Sequence, residues 1–312
     1  VRRFDNGFTA HYPVPKSARP GLHGKRAWYH IGRRETTNSM GLITIDEGRC
    51  RKDGFCAREC PAAIIELPGD GFPRIKPGRE EGCTECGHCV AVCPHDALRH
   101  ERIPAAGSPA LRDDLRLSEA QAAQFLRSRR SIRHFADKPV ERETIRKLIE
   151  TARYAPSGGN RQGVEWLVIG DRGRLRKIGA LTVDWIRKLA KDPRAVAAAP
   201  YLLPTIAAWD AGQDTVLRGA PVLVVAMAPA EVATGSADVV IAQAHLDLYA
   251  PVLGLGTCWA GLLQGAMANS PETRAAVGVP DGYPHHYALM LGYPDVRFFR
   301  APERKAPKIT FT

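Results

Sequence analysis

The chain has 312 residues, 44% hydrophobic and 25% charged, enough apolar content for one small and one medium domain, each with a real core. Its formal charge is +11, from 44 Lys and Arg against 33 Asp and Glu. The longest apolar runs are too short to span a bilayer, which argues against a membrane protein and makes a soluble, cytoplasmic one the default expectation.

The charge is unevenly spread. Residues 1–39 hold eight Lys and Arg against Asp5 and Glu35, more than half of the whole excess, with little apolar periodicity. An unstructured basic extension is expected there. A nucleic-acid or anionic-partner arm would use the pairs Arg2-Arg3, Lys25-Arg26 and Arg33-Arg34. A twin-arginine export signal is rejected, because no apolar segment follows Arg2-Arg3. Met40 stands directly before the first strand-like run, so an early start is a further account of the extension. No nucleic-acid reader fold is recognisable, and no nucleic-acid partner is expected.

Residues 40–103 read as a small domain with an internal pseudo-repeat. Strand-like pieces at 42–45 and 64–67 flank a first cysteine run, and Pro68-Gly69-Asp70-Gly71 is a turn between the halves. Seven of the eight cysteines lie here. Cys83, Cys86, Cys89 and Cys93, followed by Pro94, match the C-x2-C-x2-C-x3-C-P spacing of iron-sulfur ligands. Cys50, Cys56 and Cys60, followed by Pro61, repeat it with Asp53 at the second ligand position. Disulfides need an oxidising compartment that nothing in the chain suggests, and the spacing crowds a tetrahedral zinc site.

The segment resembles a two-cluster 4Fe-4S ferredoxin. That resemblance implies crossed ligation, with Cys50, Cys56, Cys93 and Asp53 around one cluster and Cys83, Cys86, Cys89 and Cys60 around the other. Carboxylate oxygen binds iron more weakly than thiolate, so the cluster at Asp53 is expected to lose an iron readily and become 3Fe-4S.

Residues 104–118 read as a linker, and a second domain spans 119–312. Ser118 is a candidate N-cap for a helix that carries Phe125 and Leu126 at core spacing. Arg129-Arg130-Ser131-Ile132-Arg133-His134-Phe135 follows, a cluster that suits a phosphate or a solvated helix end equally. An amphipathic helix is then marked by Ile145, Leu148, Ile149 and Ala152.

The arginine cluster, the loop Ala155-Pro156-Ser157-Gly158-Gly159-Asn160-Arg161-Gln162 and the strand 165–169 together resemble the opening of the FMN-dependent nitroreductase family. The runs at 218–225, 242–249, 254–261, 289–294 and 304–307 resemble later parts of that family, in order. The resemblance implies an α+β fold with an antiparallel-rich central sheet and flanking helices, forming an intertwined homodimer with FMN at its interface. It places Arg129, Ser131 and Arg133, with Arg130 among them, at the FMN phosphate and ribityl chain. Asn160 falls at the isoalloxazine, with Pro156, Ser157 and Gly158 shaping the turn beneath it. The backbone of Gly261 and Leu262 falls at flavin N5 and O4, and Arg304 and Lys305 at the phosphate. No side chain is implied as a catalytic acid or base, since the flavin carries the chemistry. Gly163 departs from the family, which commonly has proline there.

Several other residues invite a role and are set aside. Cys258, beside Trp259, is expected to be a buried packing residue, and His245, on an apolar helix of the dimer core, a satisfied core histidine. His285 and His286, adjacent in a strand, should point to opposite faces. Trp185, Tyr201 and Trp209 are equally expected to pack or to roof the substrate pocket. The fusion suggests one-electron donors such as ferredoxin, feeding FMN through both clusters for reduction of a nitro compound, quinone or activated alkene. The alternative runs the other way, with NAD(P)H as co-substrate reducing FMN and the clusters serving a protein partner. A third reading, non-enzymatic, makes the clusters structural or sensing elements.

Overall fold

Alternation of short strands with one-turn helices builds the cysteine-rich half. A computed structural model describes residues 41–104 and 107–312; the basic extension before Met40 and the linker residues Ala105 and Ala106 lie outside the described residues. The first elements are β1 (Ile43–Ile45), α1 (Phe55–Arg58), β2 (Ile65–Glu66), β3 (Arg74–Ile75), α2 (His88–Ala91) and β4 (Leu98–His100). β1 pairs antiparallel with β4, and β2 with β3. The Gly71 N–H closes the expected turn on the Pro68 carbonyl at 2.7 Å. Leu42, Cys56, Ile64, Ile65, Cys89 and Leu98 form a small core.

The pseudo-repeat is legible in the backbone. Lys52, Gly54 and Ala63 have left-handed φ of 58°, 74° and 50°, and Glu85, Gly87 and Asp96 answer with 53°, 73° and 50°. Each pair is separated by 33 residues, the same offset that relates Cys50 to Cys83 and Asp53 to Cys86. Gly54 and Gly87 each open a one-turn helix from this conformation, which glycine adopts without a Cβ penalty.

Beyond a short 3-10 turn at Asp113–Leu115, α3 (Glu119–Ser128) begins at Ser118 with a full capping box. The Ser118 hydroxyl accepts from the Gln121 N–H, and the Gln121 side chain from the Ser118 N–H. Phe125 is partly buried, but Leu126 is 58% exposed and no residue of α3 is buried. Periodicity marks an apolar face and is silent on what covers it, so the expected core role of Leu126 does not hold within this chain.

The remaining elements are α4 (Arg142–Ala152), β5 (Glu165–Ile169), α5 (Arg172–Leu189), α6 (Pro193–Ala198), α7 (Leu202–Asp210), β6 (Val222–Ala228), α8 (Gly235–Tyr249), β7 (Gly256–Trp259), α9 (Gly261–Asn269), α10 (Pro271–Val277) and β8 (His285–Gly292). They surround an antiparallel sheet of order β5-β6-β8-β7. Every residue of β6 is buried. Leu223, Val225 and Met227 face Leu175, Ile178, Leu263 and Val277 on one side, while Val222 and Val224 face Ile145, Leu148 and Leu246 on the other. Sheet alternation thus gives β6 two apolar faces, as a central strand between helix layers requires.

β7 is an edge strand, and the arginine cluster lies along it. The Ile132 N–H donates to the Thr257 carbonyl at 2.8 Å, and Ser131 bridges Thr257 in parallel. Gly256 permits this approach: a Cβ there would lie 2.3 Å from Ile132 Cγ1 and 2.9 Å from Pro294 Cγ. Gly256→Ala is expected to lower the unfolding free energy by about 1–3 kcal/mol through overpacking. Thermal unfolding checks this, and an unchanged midpoint would show that the contact relaxes freely.

Candidate functional site

Two voids open inside the cysteine-rich half. The first is lined by Cys60, Cys83, Cys86 and Cys89, with Thr84 and His100 on its wall. The second is lined by Cys50, Asp53, Cys56 and Cys93, with His95 beside them. These are the two crossed sets, each run lending its last cysteine to the other void. All eight cysteines are free. Among the described residues no three His, Cys, Asp or Glu side chains converge to hold a single metal ion. Sulfurs spread around a void suit a multi-iron cluster, whose ligands bind different corners.

Burial pushes the Cys89 thiol up to about 11 and the Cys56 thiol upward. Burial thus favours the neutral thiol at both positions, and thiolate ligation of a metal works against it. Asp53 Oδ1 accepts from the Phe55 N–H at 3.2 Å, and Oδ2 lies 3.5 Å from His95 Nε2. His100 is 5% exposed and its Nε2 is 3.4 Å from Cys83 Sγ. Burial, with the Arg102 charge adding, holds this imidazole below its usual range.

The second half carries a group of positively charged and hydroxyl side chains around β7. The Cys258 thiol is buried as expected, and burial pushes its pKa up against the opposing charges of Arg133 and Arg218 and a hydrogen bond to Ser131. Arg133 and Arg218 both bring positive charge near the Cys258 thiol. Guanidiniums and a hydroxyl are a donor set that fits a phosphate. Arg218 was not singled out in the sequence; its signals are the left-handed φ of 59° and its position before the turn into β6. Ala260, bonded by its N–H to the Ala288 carbonyl at 3.0 Å, leads from β7 into α9. The N–H groups of Gly261 and Leu262 lie in the first turn of that helix, where no intrahelical acceptor exists.

The other arginines are placed differently. Arg130 Nη1 donates to the carbonyls of Arg127 and Arg129, at 3.0 and 2.7 Å, and so turns back on the end of α3. Arg129 lies 3.6 Å from Asp247, a buried carboxylate that also accepts from Thr257 Oγ1 and from Trp259 Nε1 at 2.9 Å. Asp247 thereby ties α8 to β7 and holds Arg129 between them. Arg304 and Lys305 lie in an irregular, exposed tail, and no hydrogen bond or ion pair among the described residues joins them to the arginine cluster.

The loop at 156–160 is braced from α8. The Gly158 N–H donates to Asp238 Oδ1 at 3.2 Å, and a Cβ on Gly158 would lie 2.3 Å from Thr234 Oγ1. Ser157 Oγ accepts from the Gln162 N–H at 2.9 Å. Asn160, in a left-handed conformation with φ 53°, donates from Nδ2 to the Thr84 carbonyl at 2.9 Å. Thr84 sits between Cys83 and Cys86, so the loop expected to hold flavin is bonded to the loop that lines the first void. No local pattern announces a pair 76 residues apart.

The residues set aside are placed as follows. His285 bonds Ser236 Oγ at 2.8 Å, while His286 is buried on the opposite face with Nδ1 unpartnered. His245 is exposed in the single chain, and its Nδ1 bonds the Ile241 carbonyl one turn back at 3.0 Å. Trp209 packs on Gly179 and Trp185 on Gly265, while Tyr201 is exposed.

Asp53→Cys completes the second thiolate set, and anaerobic reconstitution is expected to retain about one more iron per chain than in the native protein after oxidation. Iron and sulfide quantitation checks this. Equal iron in the two would contradict the expected loss of an iron at Asp53.

Comparison with known proteins agrees with this geometry. The family model described as Nitroreductase family matches residues 126–293, and that described as 4Fe-4S dicluster domain matches residues 42–102. An Archaeoglobus fulgidus protein provisionally named NADH dehydrogenase/NAD(P)H nitroreductase is 26% identical over 60% of this chain and 94% of its own. A ferredoxin of Methanothermococcus thermolithotrophicus is 36% identical over 18% of this chain and 92% of its own. The FMN-bound nitroreductase of Bacteroides fragilis shares the fold, with a TM-score of 0.50 and 22% identity over 63% of this chain and all of that one. No helix among the described residues is long and apolar enough to cross a membrane. The chain belongs to the nitroreductase family and is an FMN-dependent oxidoreductase fused to a 4Fe-4S ferredoxin domain.

Proposed function

We propose that the ferredoxin domain, residues 40–103, holds two clusters and exchanges electrons between a ferredoxin-like donor and an FMN held by the second domain, 119–312, for reduction of a nitro compound, quinone or activated alkene. When bound, the clusters pass electrons singly, while FMN passes them singly or in pairs. The observation that carries this reading is the hydrogen bond from Asn160 to the Thr84 carbonyl. An amide has two N–H groups and a carbonyl, so Asn160 can hold the cysteine loop and still present polar atoms to a flavin.

The same bond orders the two voids. The one lined by Cys83 is the inner station, beside the flavin loop. The one lined by Asp53 is the outer station, because among the described residues no hydrogen bond or ion pair joins its lining to residues 119–312. Ser131, Arg133 and Arg218 would hold the FMN phosphate and ribityl chain, and the Gly261 and Leu262 N–H groups the redox-active edge. Arg129 adds positive charge, while Asp247 fixes its position. A homodimer completes the flavin site on this reading, and Arg304 and Lys305 would serve it from the exposed tail. The name of the Archaeoglobus relative favours a second reading, in which NAD(P)H reduces FMN and electrons leave through the clusters.

Cys86→Ala tests the wiring. Flavin reduction driven by reduced ferredoxin should be abolished, while flavin reduced by dithionite should still turn over the acceptor. Unchanged ferredoxin-driven rates would refute it. For FMN itself, Arg133→Ala is expected to weaken binding about 10- to 100-fold, the loss of one charge-assisted hydrogen bond. Arg130→Ala should leave affinity within about twofold, because that guanidinium faces its own backbone. Flavin fluorescence titration reads both, and the reverse ranking would contradict the assignment.

A further inference from the structure

His100 lies outside both cysteine runs, yet it forms part of the wall of the first void. Its ring is set by its neighbours: the Ile103 N–H closes on the His100 carbonyl at 3.1 Å, and the Arg102 N–H donates to His100 Nδ1 at 3.1 Å. A nitrogen that accepts carries no proton, so Nδ1 is bare and the ring proton sits on Nε2. That Nε2 lies 3.4 Å from Cys83 Sγ, within N–H to sulfur hydrogen-bonding distance.

The internal repeat offers a comparison within the same chain. The position 33 residues earlier, equivalent to His100, is Leu67, which has no side-chain proton to donate. Leu67 is 43% exposed and is not among the residues that line the second void, so a buried imidazole on the void wall is an asymmetry between the two halves.

We propose that His100 is a positioning and tuning residue of the inner cluster, donating its Nε2 proton to Cys83 Sγ and raising the reduction potential of that cluster alone. Reduction adds negative charge to the iron-sulfur core and its thiolates. A donor at a ligand sulfur stabilises the reduced state more than the oxidised one, and hydrogen bonds to sulfur are among the levers that set cluster potentials. Raising the inner potential favours an electron residing beside the flavin loop over the outer station. This inference rests on Cys83 being a cluster ligand.

Two isosteric variants of the reconstituted full-length protein separate the electronic role from a structural one. His100→Asn keeps an acceptor where Nδ1 stands, for the Arg102 N–H, and loses the reach to sulfur. His100→Gln places an amide N–H about where Nε2 stands and gives up the Nδ1 acceptor. In an EPR-monitored redox titration, His100→Asn should shift one of the two cluster couples to more negative potential and leave the other in place, and His100→Gln should lie close to the native values. No shift in His100→Asn, an equal shift of both clusters, or an equal shift in the two variants would overturn the proposal. Cys83→Ala separates the premise: loss of one cluster signal supports the ligand assignment independently of His100, and retention of both refutes that assignment together with the inference built on it.

Discussion

The functional reading of this molecule depends on one hydrogen bond between residues far apart in sequence, from the Asn160 amide to the Thr84 carbonyl. On one side stands a loop that glycine and Asx chemistry hold in a left-handed turn, braced from α8 by Asp238. On the other stands the loop that presents Cys83 and Cys86. Their junction brings the loop that lines one cysteine-walled void against a loop of the second domain, and it distinguishes that cysteine set from the other.

The arginine cluster depends on a different constraint, its packing along an edge strand. β7 is short and flanked by a sheet neighbour on one side only, so its free edge can take up Ser131 and Ile132. Gly256 allows the approach, and Asp247 holds it from beneath through Thr257, Trp259 and Arg129. A carboxylate this buried is tolerable because hydrogen-bond donors and a guanidinium surround it; stripping one would expose the rest to a desolvation penalty of about 1–3 kcal/mol. Positive charge thus gathers beside the edge strand of the sheet.

Much of this was legible in the sequence, for physical reasons. Thiolate spacing is dictated by the cluster it must wrap, so Cys83 to Cys93 could be read at once, and the crossed sets followed from the resemblance. The strand at 165–169 and the cap at Ser118 rest on local pattern, and both hold. What local pattern could not supply was direction and cover. Arg129, Arg130 and Arg133 are equivalent as letters, yet one is held by Asp247, one turns back on its own helix and one is exposed. Leu126 and His245 lie on helix faces that a single chain leaves exposed. Thr84, His100 and Arg218 matter only through contacts made after folding.

The most direct test of the central claim is anaerobic stopped-flow spectroscopy of the reconstituted protein mixed with reduced ferredoxin, following cluster and flavin absorbance together. The account predicts that cluster bleaching precedes flavin reduction. Flavin reduction that precedes cluster bleaching, or that proceeds unchanged without the clusters, would contradict it.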